Sequence, residues 1–442
     1  MKALDQKAIS SLITKNYINR NTQLATFIRL INSLQGSQIL AVDGAWGSGK
    51  TVFVKQLDLL CEGDDVPVNI PNIDQQDIQK LQNTYTSIYY NAWENDYFDD
   101  ALQSILYNLV AKIDKTHGGL QENSQKKAIS KIDIAGLVKN ISHDVIDLNG
   151  KTSNEKLTAE IQGFVDRKEK IVKSLQKLIE KTDKRILFII DELDRCSPSF
   201  AVKILETIKH YFEIDNITFV LAVNTDQLAH TVKKFYGSGF DGYGYLNKFF
   251  DFPFSLQDPD VKKFAQEYLG KNVTRDIVTK VPIEVATSLD MKMREIESYY
   301  KSLGLIESYL FQNIFREDGN YQPLAQCVYV PFALALKIKN GDDYRVFITG
   351  GGENQLKKFL LSASDTQEYI GQFCHDKALT TPGANEETAS RIIVDFAVVK
   401  YKAMFGREKN REIKYAKDAF MEAVSVISRY TDIKESSAEV KE

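Results

Sequence analysis

Cysteine and histidine are scarce in this chain, and neither residue type is clustered. The four cysteines lie far apart with no C-x-x-C pair, and the five histidines are scattered. A disulfide framework and a zinc site both need paired or grouped ligands, so this distribution excludes them. We therefore expect four free thiols in a reducing compartment.

Long apolar runs are also missing. No segment approaches the ~20 apolar residues that a helix needs to cross a bilayer. The first residues, Met1 to Gln6, lack the apolar stretch of a secretory signal. We expect a cytoplasmic chain without a membrane span, for which any membrane contact would come through a partner.

Positive charge is not in excess. The 56 lysines and arginines are outnumbered by 60 acidic residues, which gives a net charge of -4. The chain thus has no overall basic footprint for nucleic acid, although a local basic patch would be compatible with this balance. With 442 residues, of which 43% are hydrophobic, the chain is long enough for two globular domains.

What the chain does have is a glycine-rich loop after a short apolar run. The loop fits the phosphate-binding pattern G-x-x-x-x-G-K-[ST]. Glycines let successive N–H groups point at one phosphate, and the helix that follows adds the positive end of its dipole. Lys50 would reach the β- and γ-phosphates, and the Thr51 hydroxyl would bind Mg²⁺. The residues expected to contact the nucleotide are Gly44, Ala45, Trp46, Gly47, Ser48, Gly49, Lys50, Thr51 and Val52.

The alternative for this stretch is a plain glycine-rich turn. The predicted strand before the loop and the amphipathic helix after it favour the nucleotide site, because the phosphate-binding loop occurs in that context.

A second stretch supplies two acids. The apolar residues Ile186 to Ile190 predict a central strand buried on both faces, and the strand ends in Asp191 and Glu192. Open α/β sheets place their ligands at the carboxyl ends of such strands. Asp191 would hold Mg²⁺ opposite Thr51, and Glu192 would orient or deprotonate the attacking water. A solvated helix start is the alternative interpretation of the two acids.

Four further residues are candidates for the catalytic machinery. Asn224 follows another apolar strand and would hydrogen-bond the γ-phosphate or the water. Arg195, Lys248 and Arg294 are candidate cations for the transition state. Arg195 would otherwise pair with a neighbouring acid. Lys248 is either a finger that reaches an adjacent subunit or a surface lysine, and Arg294 is either a sensor in a second domain or part of a solvated helix face.

Strands that alternate with helices predict an α/β core. We expect residues 1–257 to form this core, with an N-terminal helix and a polar, helical insertion at about 114–180. Residues 258–442 predict a mostly helical C-terminal domain. At a finer level, the patterns predict a loop at 61–83, a last strand at 246–254 and an exposed loop or hairpin at 340–354.

Four stretches of the chain resemble motifs of the KAP family of P-loop NTPases. They are the tryptophan inside the phosphate loop, the Asn-Ala-Trp of the second strand, the acidic motif, and a later strand followed by Asn-Lys. In this sequence the stretches are 44–51, 90–93, 191–198 and 221–224 with 246–248. Glu192 stands where the family usually has Asp, and the interval at about 114–157 is polar where many members carry transmembrane helices. Trp46 would pack on the loop or stack near the nucleotide, whereas for Trp93 we favour a core position.

The resemblance implies a parallel additional-strand sheet related to that of AAA proteins. It also implies Mg-dependent ATP hydrolysis, oligomer formation, and a role in bacterial phage defence or mobile elements beside a separate effector protein. A nucleic-acid motor or loader is the runner-up hypothesis, and a small-molecule kinase ranks last because no arginine-rich lid is visible. No guanine-reading Asn-Lys-x-Asp follows the strands, which favours ATP over GTP.

Overall fold

The computed structural model describes most of the chain. The chain divides into two compact units, Met1–Asp258 and Pro259–Glu442. Most of the predicted insertion, residues 117–167, lies outside the described residues. The described residues are 5–16, 18–63, 66–98, 100–116, 168–177, 179–180, 182–257, 260–269, 276–311, 321–374, 385–406 and 410–431.

A five-stranded parallel sheet organises the first unit. The strands are β1 Gln38–Asp43, β2 Tyr85–Asn91, β3 Arg185–Asp191, β4 Ile217–Val223 and β5 Phe252–Ser255. Their spatial order is β2-β3-β4-β1-β5. Parallel strands require crossovers, and the helices in those crossovers cover both faces of the sheet, which explains why the central strands are apolar throughout.

Strand β4 lies between β1 and β3. The phosphate loop follows β1 and the acidic pair ends β3, so β4 is the additional strand that separates them. The predicted fold class, a P-loop core with an additional-strand sheet, is therefore confirmed.

Helices flank this sheet on both sides and form two apolar layers with it. Residues 168–177 are also helical. The helices with defined ends are Gln6–Lys15, Asn21–Ser33, Lys50–Glu62, Gln75–Thr84, Ala101–Thr116, Pro198–Tyr211, Thr225–Tyr236 and Gly242–Phe249.

Two predicted elements of this unit are wrong. The stretch 61–83 is not all loop, because helix Gln75–Thr84 begins where the Asp74 carboxylate caps the N–H of Gln76. The predicted strand 246–254 is mostly helix Gly242–Phe249, and only Phe252–Ser255 is strand. Asp241 caps that helix, while Leu246 and Phe249 bury one helical face at a spacing of three. Helical spacing of the large side chains, rather than their β propensity, decides the local structure.

The second unit is helical, with a core rich in aromatic side chains. A five-residue π-helix, Ala325–Tyr329, joins two of its helices. Among the described residues, no helix of the chain is long and apolar enough to cross a membrane. The helices are Val261–Leu269, Asp276–Ser288, Met293–Phe311, Tyr321–Leu324, Val330–Lys339, Gly341–Ile348, Glu353–Leu361, Ser364–Gly371, Glu386–Phe405 and Arg411–Thr431.

The predicted loop or hairpin at 340–354 is also wrong, because two helices meet there in a tight turn. The Asn340 side chain accepts the N–H groups of Asp342 and Asp343 and so starts the first helix. A Cβ on Gly352 would lie 2.4 Å from the Phe347 side chain. The glycines at this turn therefore permit close packing between helices.

Candidate active site

The carboxyl ends of β1, β3 and β4 lie side by side. Asp43 of β1 pairs with Val223 of β4, and Asp191 of β3 pairs with Ala222 of β4. The phosphate loop, the acidic pair and Asn224 follow these three strand ends directly. The parallel sheet thus gathers three motifs that are far apart in the sequence.

The phosphate loop bends through two left-handed glycines. Gly47 has φ +81° and Gly49 has φ +93°, which an L side chain rarely adopts. Helix Lys50–Glu62 begins at the next residue, so its free N–H groups face the inside of the loop. A Cβ on Gly44 would lie 2.7 Å from the Ser48 hydroxyl oxygen, so the first glycine allows the two ends of the loop to approach.

Lys50 holds the loop from within. Its ammonium donates to the carbonyls of Gly44 at 2.6 Å and of Ala45 at 3.2 Å, and the residue is only 9% exposed. Burial lowers the pKa of Lys50. Four nearby carboxylates raise this pKa and so oppose the effect of burial, namely those of Asp194, Asp191, Asp43 and Glu192. A phosphate would be a stronger partner for this ammonium than two neutral carbonyls.

Two polar groups beside the loop are relevant to anion binding. The Ser48 hydroxyl is buried with no hydrogen-bond partner within the described part of the chain, and a bound phosphate could satisfy it. The guanidinium of buried Arg20 donates a 2.8 Å hydrogen bond to the Ser48 carbonyl. Sequence reasoning missed Arg20, because nothing in its local sequence distinguishes it from a surface arginine ahead of a helix.

At the end of β3, Asp191 is 2% exposed. Its carboxylate accepts the Tyr89 hydroxyl at 2.8 Å and the Glu192 N–H at 2.9 Å. Burial raises the pKa of Asp191, and hydrogen bonds from Tyr89 and Thr51 oppose that rise. Tyr89, on β2, was also missed. The sequence predicts a buried strand at its position, but it does not show which partner the Tyr89 hydroxyl reaches.

Glu192 lies next to Asp191 and has a left-handed backbone, with φ +62°. The Thr51 hydroxyl lies 3.4 Å from its carboxylate, and the Arg195 guanidinium forms an ion pair with that carboxylate. Arg195 therefore pairs with a neighbouring acid, which was one of its two predicted alternatives. The structure brings together Lys50, Thr51, Asp191 and Glu192.

The two tryptophans are both exposed. Trp46 is 53% exposed, and its indole N–H donates to Asp194, while its expected packing on the loop or stacking near the nucleotide stays a prediction. Trp93 is 56% exposed, so the favoured core position was wrong. It lies in the turn that follows β2, beyond the last paired residue of that strand.

Three candidate residues remain, two in the first unit and one in the second. Asn224 caps helix Thr225–Tyr236 by accepting the Gln227 N–H at 3.2 Å. Lys248 is exposed in the last turn of helix Gly242–Phe249, not at a strand start. Arg294 is exposed in helix Met293–Phe311 of the second unit. The catalytic roles of these three residues stay predictions.

The oxygen atoms at this site are suited to a divalent ion that is bound together with a nucleotide, rather than to a metal ion held by protein side chains alone. In the part of the chain that the structure describes, no group of three or more His, Cys, Asp or Glu side chains is arranged to hold a metal. Mg²⁺ commonly takes one or two protein oxygens, with phosphates and waters completing its shell. The Thr51 hydroxyl and the buried Asp191 carboxylate provide two such oxygens beside the loop that fits the phosphate-binding pattern.

Fold and site together define a P-loop nucleotide-binding core of the additional-strand type. The profile of the KAP family P-loop domain matches residues 20–310, more than half of the chain, and the chain belongs to this family of P-loop NTPases. Comparison with curated proteins gives no match. A C. elegans structure, PCH-2, is similar with 10% identity and a TM-score of 0.23, covering 90% of this chain and 70% of that chain.

Proposed function

We propose that this protein is a Mg-dependent ATPase that hydrolyses ATP slowly to switch or assemble a complex. The observation that supports this most directly is the approach of Thr51 to Glu192, with 3.4 Å between the hydroxyl and a carboxylate oxygen. It places the end of the phosphate loop against the acidic end of β3. Phosphoryl transfer to water needs phosphate-binding groups, a metal ion and a water-positioning residue at one site, and this approach supports such an arrangement.

Different residues of the chain would have different roles in hydrolysis. The loop amides and Lys50 would bind the β- and γ-phosphates, and Thr51 and Asp191 would hold the metal ion. Mg²⁺ would neutralise charge on the phosphate oxygens. Glu192 would take a proton from the attacking water. The water oxygen would bond to the γ-phosphorus while the bond from that phosphorus to the bridging oxygen of ADP breaks. Asn224 would orient the water or the γ-phosphate by a neutral hydrogen bond.

Cations outside this group would complete the site. Lys248 is the stronger candidate because it is exposed at the end of a short helix that leads into β5, the strand beside β1. We propose that it reaches the site of an adjacent copy in a homo-oligomer. Arg294 would act as a sensor from the second unit.

The biological role that we propose is nucleotide-gated control of a partner. The chain pairs this ATPase core with a helical second unit for which the sequence suggests no catalytic motif. A partner effector, in a bacterial anti-phage or mobile-element system in the cytoplasm, would bind the protein and respond to its nucleotide state. ATP is preferred over GTP because the sequence carries no guanine-reading motif.

The test is ATP turnover by the purified chain over a range of protein concentrations. Lys50→Ala and Glu192→Gln should each lower turnover by about 100-fold or more, and only Lys50→Ala should weaken ATP binding. Glu213→Gln, which removes a carboxylate from an exposed ion pair with Lys209, is the matched control and should turn over normally. Stimulation by DNA or RNA would instead support a nucleic-acid motor. If the wild-type chain binds no Mg-ATP, the proposal fails.

A further inference from the structure

The guanidinium of Arg195 contacts both the Glu192 carboxylate and the ring of Trp93. Arg195 ends the short turn Leu193–Arg195 that follows the acidic pair, and its guanidinium forms an ion pair with the Glu192 carboxylate. The side chains of Arg195 and Glu192 are 32% and 16% exposed, so the pair is partly shielded from water. Such a pair restricts the carboxylate more than a fully solvated pair would.

Trp93 lies beside the same guanidinium. The guanidinium carbon is 5.9 Å from the centroid of the Trp93 ring, within the range of a cation–π contact. Two hydrogen bonds fix the turn that carries Trp93. The Asn91 side chain accepts the Trp93 N–H at 3.1 Å, and the Ala92 N–H donates to the Asp191 carbonyl at 2.9 Å. The ring is thus attached to the strand end that also carries Asp191.

A third contact ties the Trp93 turn to the far side of Arg195. Asp96 accepts both the N–H and the hydroxyl of Ser197, each at 2.8 Å. Ser197 precedes helix Pro198–Tyr211, which follows the Arg195 turn. The Trp93 turn and the segment that follows Arg195 are therefore connected to each other by hydrogen bonds that do not involve the guanidinium. The surroundings of the Arg195 side chain are thus fixed independently of that side chain.

From this geometry we propose that Arg195 is a positioning residue for Glu192, and that Trp93 orients Arg195. The inference rests on the proposed ATPase function. Glu192 has one carboxylate oxygen near Thr51 and the other bound by Arg195, so its side chain is held at both ends. A glutamate that accepts a proton from water must keep its carboxylate within hydrogen-bond reach of that water. Arg195 keeps it there, and it need not touch the nucleotide itself.

Kinetic constants separate positioning from nucleotide binding. Arg195→Gln should lower kcat by about 10- to 100-fold, because a small misplacement of a catalytic group has effects of that size, while KM for Mg-ATP changes little. Arg195→Lys, which keeps the charge but not the planar fork, should recover part of the loss. Trp93→Phe should lower kcat by only about two- to fivefold, since a weaker ring remains.

The matched control is Arg29→Gln. Arg29 also forms an ion pair with a carboxylate in the first unit, that of Asp77, and it should show wild-type kcat. In a Glu192→Gln chain, adding Arg195→Gln should leave ATP affinity unchanged. A clear loss of affinity there would show that Arg195 contacts the nucleotide directly and would overturn the proposal, as would an unchanged or raised kcat in Arg195→Gln.

A spectroscopic measurement tests the link without turnover. The chain has two tryptophans, so Trp46→Phe leaves Trp93 as the sole source of tryptophan emission. In that background, Arg195→Gln and Glu192→Gln should change the wavelength or intensity of Trp93 emission in the same direction. The first removes the guanidinium beside the ring, and the second releases the guanidinium from its ion pair. If Glu192→Gln leaves the emission unchanged, the link from Glu192 to Trp93 does not exist. If no chain hydrolyses ATP, the proposed function fails, and this emission test still decides whether Glu192 holds Arg195 over the ring.

Discussion

The indole N–H of Trp46 donates a 2.6 Å hydrogen bond to the carboxylate of Asp194. The two residues are 148 positions apart, one in the phosphate loop and the other in the turn after the acidic pair. The bond therefore joins the phosphate loop directly to the turn after β3, two parts of the candidate nucleotide site. Because Trp46 is half-exposed, the contact contributes to the order of the loop rather than to the core.

Trp46→Phe should weaken ATP binding without unfolding the protein. The phenyl ring cannot donate to Asp194, so the loop would be less ordered before binding, and the ordering cost would then fall on the binding step. A net hydrogen bond of this kind is worth about 1 kcal/mol, which corresponds to a roughly fivefold increase in Kd. Calorimetric titration with Mg-ATP measures the change. An unchanged Kd, or a lower melting temperature in the ligand-free chain, would contradict this account.

The main motifs were predictable from the sequence because each is local and chemically constrained. The glycines at 44 and 49 and the acids after the β3 strand lie in continuous patterns that only a few structures can satisfy. Arg20 and Tyr89 were not predictable in the same way. Their roles depend on which strand or loop lies beside them, and that is set by the sheet order, which brings distant segments together.

Trp93 is a residue for which the sequence-based prediction was wrong. An aromatic residue at the end of a buried strand is more often inside than outside, and composition offers no means of telling the two apart. Its exposure follows from the end of the strand itself, because Trp93 lies two residues beyond the last ladder position at Asn91. A difference of two residues in where a strand ends thus changes a core residue into a surface residue.

Asp58 should give the first unit a pH-dependent stability. Its carboxylate accepts the Ser87 hydroxyl at 2.6 Å, and burial, with nearby Glu62, raises its pKa above 3.8. The folded chain therefore keeps this proton to higher pH than the unfolded chain. The resulting stability is fully present below pH 3.8 and is lost as the pH rises through the folded pKa.

Asp58→Asn, which keeps an oxygen acceptor but carries no charge, should therefore melt higher than wild type at pH 7. A gain of roughly 2–4 °C corresponds to about 1 kcal/mol in a domain of this size. The difference should shrink toward zero as the pH approaches 3.8. Asp77→Asn, which only breaks the exposed ion pair with Arg29, should give no gain. Melting curves at pH 7 and pH 4 test this, and an equal gain at both would refute it.

Gly242 should be intolerant of a side chain. A Cβ there would lie 2.3 Å from the Ala229 carbonyl oxygen, whereas a Cβ on Gly239 would meet nothing within 4 Å. Gly242→Ala should destabilise the first unit by about 1–3 kcal/mol, since backbone would have to move. Gly239→Ala should stay within about 0.5 kcal/mol of wild type. Denaturant midpoints of the two variants compare them directly, and equal midpoints would show that the helix Gly242–Phe249 can shift freely.

That helix carries Lys248, and its helical structure changes what the lysine could do. The prediction of a strand failed because Phe249 and Leu246 satisfy helical spacing as well as strand composition, and the Asp241 cap decided between them. At a strand start, Lys248 would have been fixed to the sheet. Lys248 is exposed in the last turn of this half-buried helix, so its side chain can extend away from its own core.

If Lys248 acts on a neighbouring copy, two inactive chains should restore each other. Lys248→Ala keeps an intact Glu192, and Glu192→Gln keeps an intact Lys248, so a mixture can form a site with one of each. At high protein concentration we expect Lys248→Ala alone to lose about 10-fold or more in kcat, because a cation is missing at the transition state. Glu192→Gln alone should lose about 100-fold or more, and the mixture should regain a substantial fraction. Lys234→Ala, an exposed lysine in the last turn of the preceding helix, should be fully active alone. No recovery on mixing, from chains that ultracentrifugation shows to associate, would place Lys248 in its own subunit's site or outside the chemistry.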